Sequence, residues 1–359
     1  MKDIIIQGKK VNYGLTPFII AEGGVNHNSD LDLAIKLIDA AAEAGADAIK
    51  FQTWRAEQLA TKAGKMADYQ KRNIGKEESQ FDMLKKLELK EKWYPQLIKR
   101  AKEKNIILLS TPHGGFEAID FMERYNFPAF KIASGDITNL PFLEYAAKFK
   151  KPMLISTGMS NLEEVKEAIE TVKNAGNDQI LIFHCTTDYP LALENVNLRA
   201  IDTFKKELGV LIGYSDHTLG REVPIMAAAL GACMIEKHFT LDRTMKGPDH
   251  VASMEPRDFK KMVEALKRVP IIMGSGAKKA LKPELQYMNV ARKSIVAARD
   301  IKKGEKFNKE NLAIKRPGTG LSPKYFNQVL GKTAKTDIHK NALLPARESW
   351  RFIKRAKRV

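Results

Sequence analysis

A rhythm of short apolar runs is the strongest constraint on how this 359-residue chain folds. PFIIAEGG (17–24), ADAIKFQ (46–52), NIILLSTPH (105–113) and AFKIASGD (129–136) come first. PMLISTG (152–158), QILIFHCTT (179–187), GVLIGYSDH (209–217) and ACMIEKHFT (232–240) follow. Short runs that are apolar on successive residues suit strands buried on both faces of a parallel sheet. Between them the spacing turns helical. Residues 31–45 place Leu31, Ile35, Ile38 and Ala42 on one face. Residues 161–176 open on Asn161, a good N-cap, carry Glu163 and Glu164 early, and stop at Gly176. Residues 255–269 close the series. Eight strands alternating with helices over about 250 residues predict an α/β chain of the (β/α)8 TIM-barrel type. A doubly wound open sheet shares the alternation, because strand count alone does not prove closure.

One connection breaks the rhythm. Residues 53–90 are too long for an ordinary βα loop and contain charged helical sequence, so they either cover a site or decorate the periphery. From about Arg292 the pattern changes to short strand-like pieces with a KKGE turn and a Pro-Gly turn. The expected domains are a barrel over 1–272, a linker over 273–290 and a small β-rich domain over 291–359. Charge marks the same seam. The chain has a formal net charge of +17, yet from Leu281 onward there are 20 Lys and Arg against only 6 Asp and Glu. The barrel half is therefore nearly balanced. The basic half lacks the interleaved aromatic residues of a base-stacking platform, so nucleic acid is not the expected partner. Its ending, SWRFIKRAKRV, reads as a solvated tail.

Two cysteines, Cys185 and Cys233, lie inside apolar runs and read as buried free thiols, which fits a reducing compartment. The opening MKDIIIQGKK is too short for a signal h-region, and no apolar run approaches the ~20 residues of a membrane span. The expectation is a soluble cytoplasmic protein without a membrane partner.

Polar residues cluster where the predicted strands end, which in a (β/α)8 barrel is where chemistry sits. The ends supply Glu22, Lys50, Gln52, Ser110, Thr111, Lys131 and Ser134 in the first half. Ser156, Thr157, His184, Thr186, Thr187, Ser215, Asp216, His217, Glu236 and His238 follow in the second. Six of the seven histidines lie on or just after such ends; only His339 does not. His217 and His238 end neighbouring strands roughly 5 Å apart, close enough to share one divalent ion. Two protein ligands leave positions open for a Lewis acid acting on a substrate carbonyl; two hydrogen-bonded histidines without metal are the alternative. Lys50 and Lys131 beside the hydroxyls of Thr111, Ser134 and Ser156 make a site for a small multiply charged anion such as a phosphate ester. Either lysine could instead be a Schiff-base nucleophile, as in an aldolase. Glu22 is the best-placed carboxylate for proton transfer.

Read together, IIAEGGVNHNSD, KFQT, STPHGG, FKIASGDITNLP, STGMS, HCTTDYP, IGYSDHT, IEKHFTLDRTMKGPDH and KRPGTG resemble the sialic acid synthases, the bacterial nonulosonate synthase family. The motifs run in the family's order from about residue 17 to 330. The module after residue 290 looks like the family's antifreeze-like (SAF) domain. The resemblance implies condensation of phosphoenolpyruvate with the open-chain aldehyde of an N-acylmannosamine-type sugar. The expected acceptor is N-acetylmannosamine, giving N-acetylneuraminate; the alternative is 2,4-diacetamido-2,4,6-trideoxy-mannose, giving legionaminate. It also implies that His217 and His238 hold Mn2+ or Mg2+. Lys50, Thr111, Lys131, Ser134, Ser156 and Ser215 resemble a phosphoenolpyruvate cradle, and Glu22 the carboxylate near the reacting centre. Tyr189 and Asp249 resemble sugar contacts, with Gln52 and Thr187 counted among the substrate-binding residues. Arg316 matches an arginine sent into the barrel of a partner, which implies a domain-exchanged homodimer. Two departures stand out. Thr187 replaces an Asn found in some members, and AEGG at 21–24 replaces a bulkier residue after the glutamate.

Overall fold

The computed structural model describes residues 2–75 and 78–345. The basic ending at 349–359 lies outside the described residues. The chain divides into two compact units, Met1–Gly274 and Ser275–Val359.

Eight parallel strands form the first unit: β1 (Phe18–Gly24), β2 (Ala48–Thr53), β3 (Ile107–Pro112), β4 (Phe130–Ile132), β5 (Met153–Ser156), β6 (Ile180–Cys185), β7 (Leu211–Asp216) and β8 (Met234–His238). Their order is β3-β2-β1-β8-β7-β6-β5-β4. The first and last strands of the series pair directly, from Met234↔Phe18 to His238↔Glu22, which curls the sheet into a barrel. Among the described residues no ladder joins β3 to β4, although the two lie side by side. The barrel is nearly closed, and helices alternate with its strands as expected. The run at 129–136 yields only a three-residue strand, because Ser134–Asp136 turns into a 3-10 helix.

The strand period of two sorts every side chain. Phe18, Ile20, Ala48, Leu109, Leu154, Leu181, Leu211 and Met234 fill the barrel interior. Ile19, Ile49, Phe130, Ile155, Ile182, Ile212 and Ile235 face the helices. A hairpin that the sequence reading did not anticipate, Ile4–Ile6 with Lys9–Val11, sends Ile4, Ile6 and Val11 into the interior cluster. Tyr13, just after it, donates from its hydroxyl to Val210 O at 3.2 Å and accepts from Ile212 N at 3.1 Å.

The helices begin where their caps place them. Asn161 Oδ1 accepts from the Glu163 and Glu164 amides at 3.0 Å, and the Glu164 carboxylate accepts from Asn161 N at 2.8 Å. The helix Leu31–Glu43 starts at Asp30 and buries Ala34, Leu37, Ile38 and Ala41. Its inner face is thus centred one residue away from the stripe drawn on the sequence, and Leu31, Ile35 and Ala42 flank it half-buried. The long connection after β2 folds into three short helices, Ala56–Leu59, Asp68–Ile74 and Gln80–Leu87.

In the second unit, the second half of the expected linker lies in a helix, Lys282–Ala291, with the Glu284 carboxylate accepting from Leu281 N at 2.7 Å. Beyond it, β9 (Ser294–Ala297) and β10 (Leu312–Lys315) pair antiparallel over a core that includes Ile295, Phe307, Leu312 and Leu344.

Candidate active site

The inward row at the C-terminal ends of the strands switches abruptly from apolar to charged. Thirteen of the fourteen residues given a role through the resemblance line one cavity of about 220 Å³ there. The exception is Arg316, which is exposed just past β10 in the second unit. Parity explains the selection. Ser110, His184 and Asp216 also end strands, but each takes the opposite phase and turns toward the helices. His184 Nε2 meets Val196 O at 2.8 Å and its ring packs on Phe204 and Tyr214, so it is a core histidine. His27 is buried against Phe51, and His250 Nδ1 pairs with Thr240 Oγ1 at 2.7 Å. Of the six histidines near strand ends, His113, His217 and His238 line the cavity.

Four ionisable side chains make its base. Lys50 Nζ lies 2.8 Å from Glu22 Oε2, 2.7 Å from Thr111 Oγ1 and 3.7 Å from Glu236 Oε2. Lys131 Nζ donates to Ser156 Oγ at 2.6 Å and faces Glu236 Oε1 at 3.6 Å, and Ser215 Oγ donates to the same oxygen at 3.0 Å. Gln52 Nε2 donates to Glu22 Oε1 at 2.9 Å. Glu236 was visible at a strand end but was not singled out on the sequence. Its phase in IEKH, two residues before His238, is the signal that places it here.

Burial separates the two acids. It pushes the Glu22 carboxyl above the usual range, against the pull of Lys50 and with the help of Glu236. Burial also opposes charge on Glu236, but Lys131 and Lys50 flank it and hold it below that range. For Lys50, burial is outweighed by the two glutamates, which raise its pKa. For Lys131 burial wins and lowers it, with Lys50 adding to the effect.

His217 and His238 stand beside this cage with ring centroids 5.3 Å apart. Tyr189 packs on His217 at 4.0 Å. Burial holds His217 down at about 4, and burial together with His217 keeps His238 well below the ordinary value. Both rings are therefore neutral at physiological pH, the form that ligates metal. His217 Nδ1 is committed to Thr186 O at 2.6 Å, which leaves its Nε2 lone pair available. His238 Nδ1 is buried without a hydrogen bond, 3.7 Å from Asp249 Oδ2. Among the described residues no group of three or more His, Cys, Asp or Glu is arranged to hold a metal. The residues present fit a divalent ion that takes two imidazole nitrogens and leaves its other positions to ligand and water. Burial and the Glu22 charge push the Asp249 carboxyl up to about 7.

Backbone shape completes the mouth. A Cβ on Gly158 would crowd the hydroxyls of Thr187 and Ser134, so glycine lets these loops meet without either hydroxyl moving. Gly24 has φ +47° beside a register shift in β1, and it brings the chain past the Glu22 and Gln52 side chains. The AEGG sequence supplies this turn. The long connection contributes Gln70, Met83, Leu84 and Leu87 to the cavity. Residues 83, 84 and 87 share a helix face, so they form an apolar wall opposite the charged base.

Comparison with known proteins agrees with this geometry. Residues 37–278 match the NeuB family, and residues 292–347 match the SAF domain. The N,N'-diacetyllegionaminic acid synthase of Campylobacter jejuni is 46% identical over 91% of this chain and 98% of its own. A protein of the same name from Legionella pneumophila is 45% identical over 88% of this chain and 90% of its own. Among solved structures, the N-acetylneuraminic acid synthetase of Leptospira borgpetersenii superposes with a TM-score of 0.70 at 33% identity, covering 80% of this chain and 95% of that one. A barrel with this charged mouth, followed by a SAF domain, belongs to the NeuB family of nonulosonate synthases.

Proposed function

We propose that this protein condenses phosphoenolpyruvate with the open-chain aldehyde of 2,4-diacetamido-2,4,6-trideoxy-mannose, releasing phosphate and forming a legionaminate-type acid. The observation that carries the reaction class is the pairing of a buried two-lysine, two-glutamate cage with two neutral histidines in one cavity. The identity of 46% and 45% to synthases named for N,N'-diacetyllegionaminic acid favours this acceptor over N-acetylmannosamine.

Lys50, Lys131 and the hydroxyls of Thr111, Ser134, Ser156 and Ser215 would hold the phosphate and carboxylate of phosphoenolpyruvate. A divalent ion on His217 and His238, Mn2+ or Mg2+, would supply a Lewis acid for the aldehyde oxygen. As the enol carbon joins the aldehyde carbon, the oxygen left behind needs a proton, and we assign its supply to Glu22, the carboxyl that burial shifts upward. The resulting carboxylate can then take the proton of the water that attacks the oxocarbenium carbon. Phosphate leaves with C–O cleavage and takes the new hydroxyl's proton as the ketone forms, and Glu22 ends as it began. Gln52 fixes the orientation of that carboxyl. Tyr189, Asp249 and Thr187, which line the same cavity, would meet the acceptor.

The assembly we propose is a homodimer in which Arg316 serves the partner's barrel. The helix Lys282–Ala291 has no buried residue and exposes Leu285, Tyr287 and Val290 at 52%, 62% and 65%, a face that a second copy would cover.

The test is phosphate release from purified protein. It should require phosphoenolpyruvate and sugar together, stop with chelator, return with Mn2+, and favour the diacetamido sugar over N-acetylmannosamine. Release from phosphoenolpyruvate alone, or activity indifferent to chelator, would overturn the reading. A preference for N-acetylmannosamine would replace the acceptor while leaving the reaction class standing.

A further inference from the structure

The residues immediately before the two histidines, Asp216 and Lys237, are partners across the β7–β8 ladder. Their side chains take the opposite phase from the histidines and lie on the helix side, with 0% and 1% of their area exposed. Neither lines the catalytic cavity. Lys237 Nζ donates to Asp216 Oδ2 and to Thr218 O. Asp216 Oδ1 also accepts from Tyr214 Oη at 3.0 Å, Thr218 N at 3.1 Å and Thr218 Oγ1 at 3.0 Å.

An ion pair this deeply buried is a poor stabilising device, because desolvation of both charges offsets their attraction and an apolar pair of similar volume does as well. What the network does is geometric. Thr218 is tied to Asp216 through its amide and hydroxyl and to Lys237 through its carbonyl, so the backbone on both sides of His217 is fixed to the strand carrying His238. We infer that Asp216 and Lys237 form a positioning clamp that sets the separation and orientation of the His217 and His238 imidazoles for one divalent ion. This rests on reading those histidines as the metal pair.

Three variants separate the clamp from a merely structural role, with Mn2+ affinity measured by electron paramagnetic resonance and folding by calorimetry. Lys237→Met strands a buried carboxylate and should lower both thermal stability and Mn2+ affinity, the latter 10- to 100-fold. The Asp216→Leu/Lys237→Met double variant should regain stability close to wild type while the affinity loss persists, with kcat reduced and KM for phosphoenolpyruvate within about twofold of wild type. Thr218→Val removes one donor from Asp216 without changing shape and should cost about threefold or more in Mn2+ affinity. Wild-type Mn2+ affinity in the folded double variant, or in Thr218→Val if the double variant does not fold, overturns the clamp. If His217→Ala binds Mn2+ as tightly as wild type, the metal reading fails and the clamp falls with it.

Discussion

The apolar wall formed by Leu84 and Leu87 offers a sharp test of acceptor choice. The diacetamido sugar carries two methyl groups that N-acetylmannosamine lacks, one on the C4 acetamido group and one at C6. Met83 is nearly fully buried, while Leu84 and Leu87 are half-buried and line the cavity, so they are the side chains with area left to cover on a ligand. Burying a methyl group is worth ~0.8 kcal/mol, so two give ~1.6 kcal/mol, or about 15-fold in kcat/KM. Leu84→Ala/Leu87→Ala should therefore reduce the preference for the diacetamido sugar by about that factor, mainly through KM. The indole of Trp54 donates to the backbone oxygen of Leu84 at 3.2 Å, a bond the substitution leaves intact, so the helix should keep its place. The assay is steady-state phosphate release with each sugar at saturating phosphoenolpyruvate. A ratio of kcat/KM values within twofold of wild type would refute the reasoning, as would equal losses for both sugars.

Other outcomes follow from the same geometry. Borohydride added with pyruvate should leave the protein mass unchanged, since Lys131 is held between Ser156 and Glu236; a trapped adduct would revive the Schiff-base aldolase reading. Arg316→Ala should raise KM for the sugar about tenfold or more without altering the thermal melting of the barrel, and sedimentation should report a dimer; wild-type kinetics or a monomer would remove the cross-subunit role. His27 is buried and held at about 4, below its unfolded value, so the unfolded chain binds more protons between about pH 6.5 and 4. Stability should fall as pH drops through that window, and His27→Asn should make the fall shallower in a melting series; an unchanged slope would exclude this source.

Much of the barrel was legible because its strands are buried on both faces and leave continuous apolar runs. The site was legible because catalytic groups must interrupt those runs at their ends. What strand ends alone could not do was choose between faces. Ser110, His184 and Asp216 sit where Thr111, Cys185 and Ser215 sit, one residue out of phase, and only the period of two sends the first set to the helices and the second to the cavity. The same count applied to IEKH would have selected Glu236 with His238 and set Lys237 apart. The N-terminal hairpin was missed because three-residue strands have too little pattern to distinguish them from a loop. The wall at Met83, Leu84 and Leu87 was hidden for another reason: an amphipathic helix shows that one face is covered, not what covers it.

The hairpin also has a kinetic meaning. With Ile4, Ile6 and Val11 sealing the interior at the N-terminal ends of the strands, the cavity is a cul-de-sac. Traffic in both directions must share the mouth, where the long connection after β2 stands. A ligand seated on the lysines, which are rooted in the strands, has to be loaded before one that rests against the outer wall. An acceptor that arrives first stands in that route. Turnover should therefore follow an ordered sequence, with the acceptor inhibiting at high concentration when phosphoenolpyruvate is scarce.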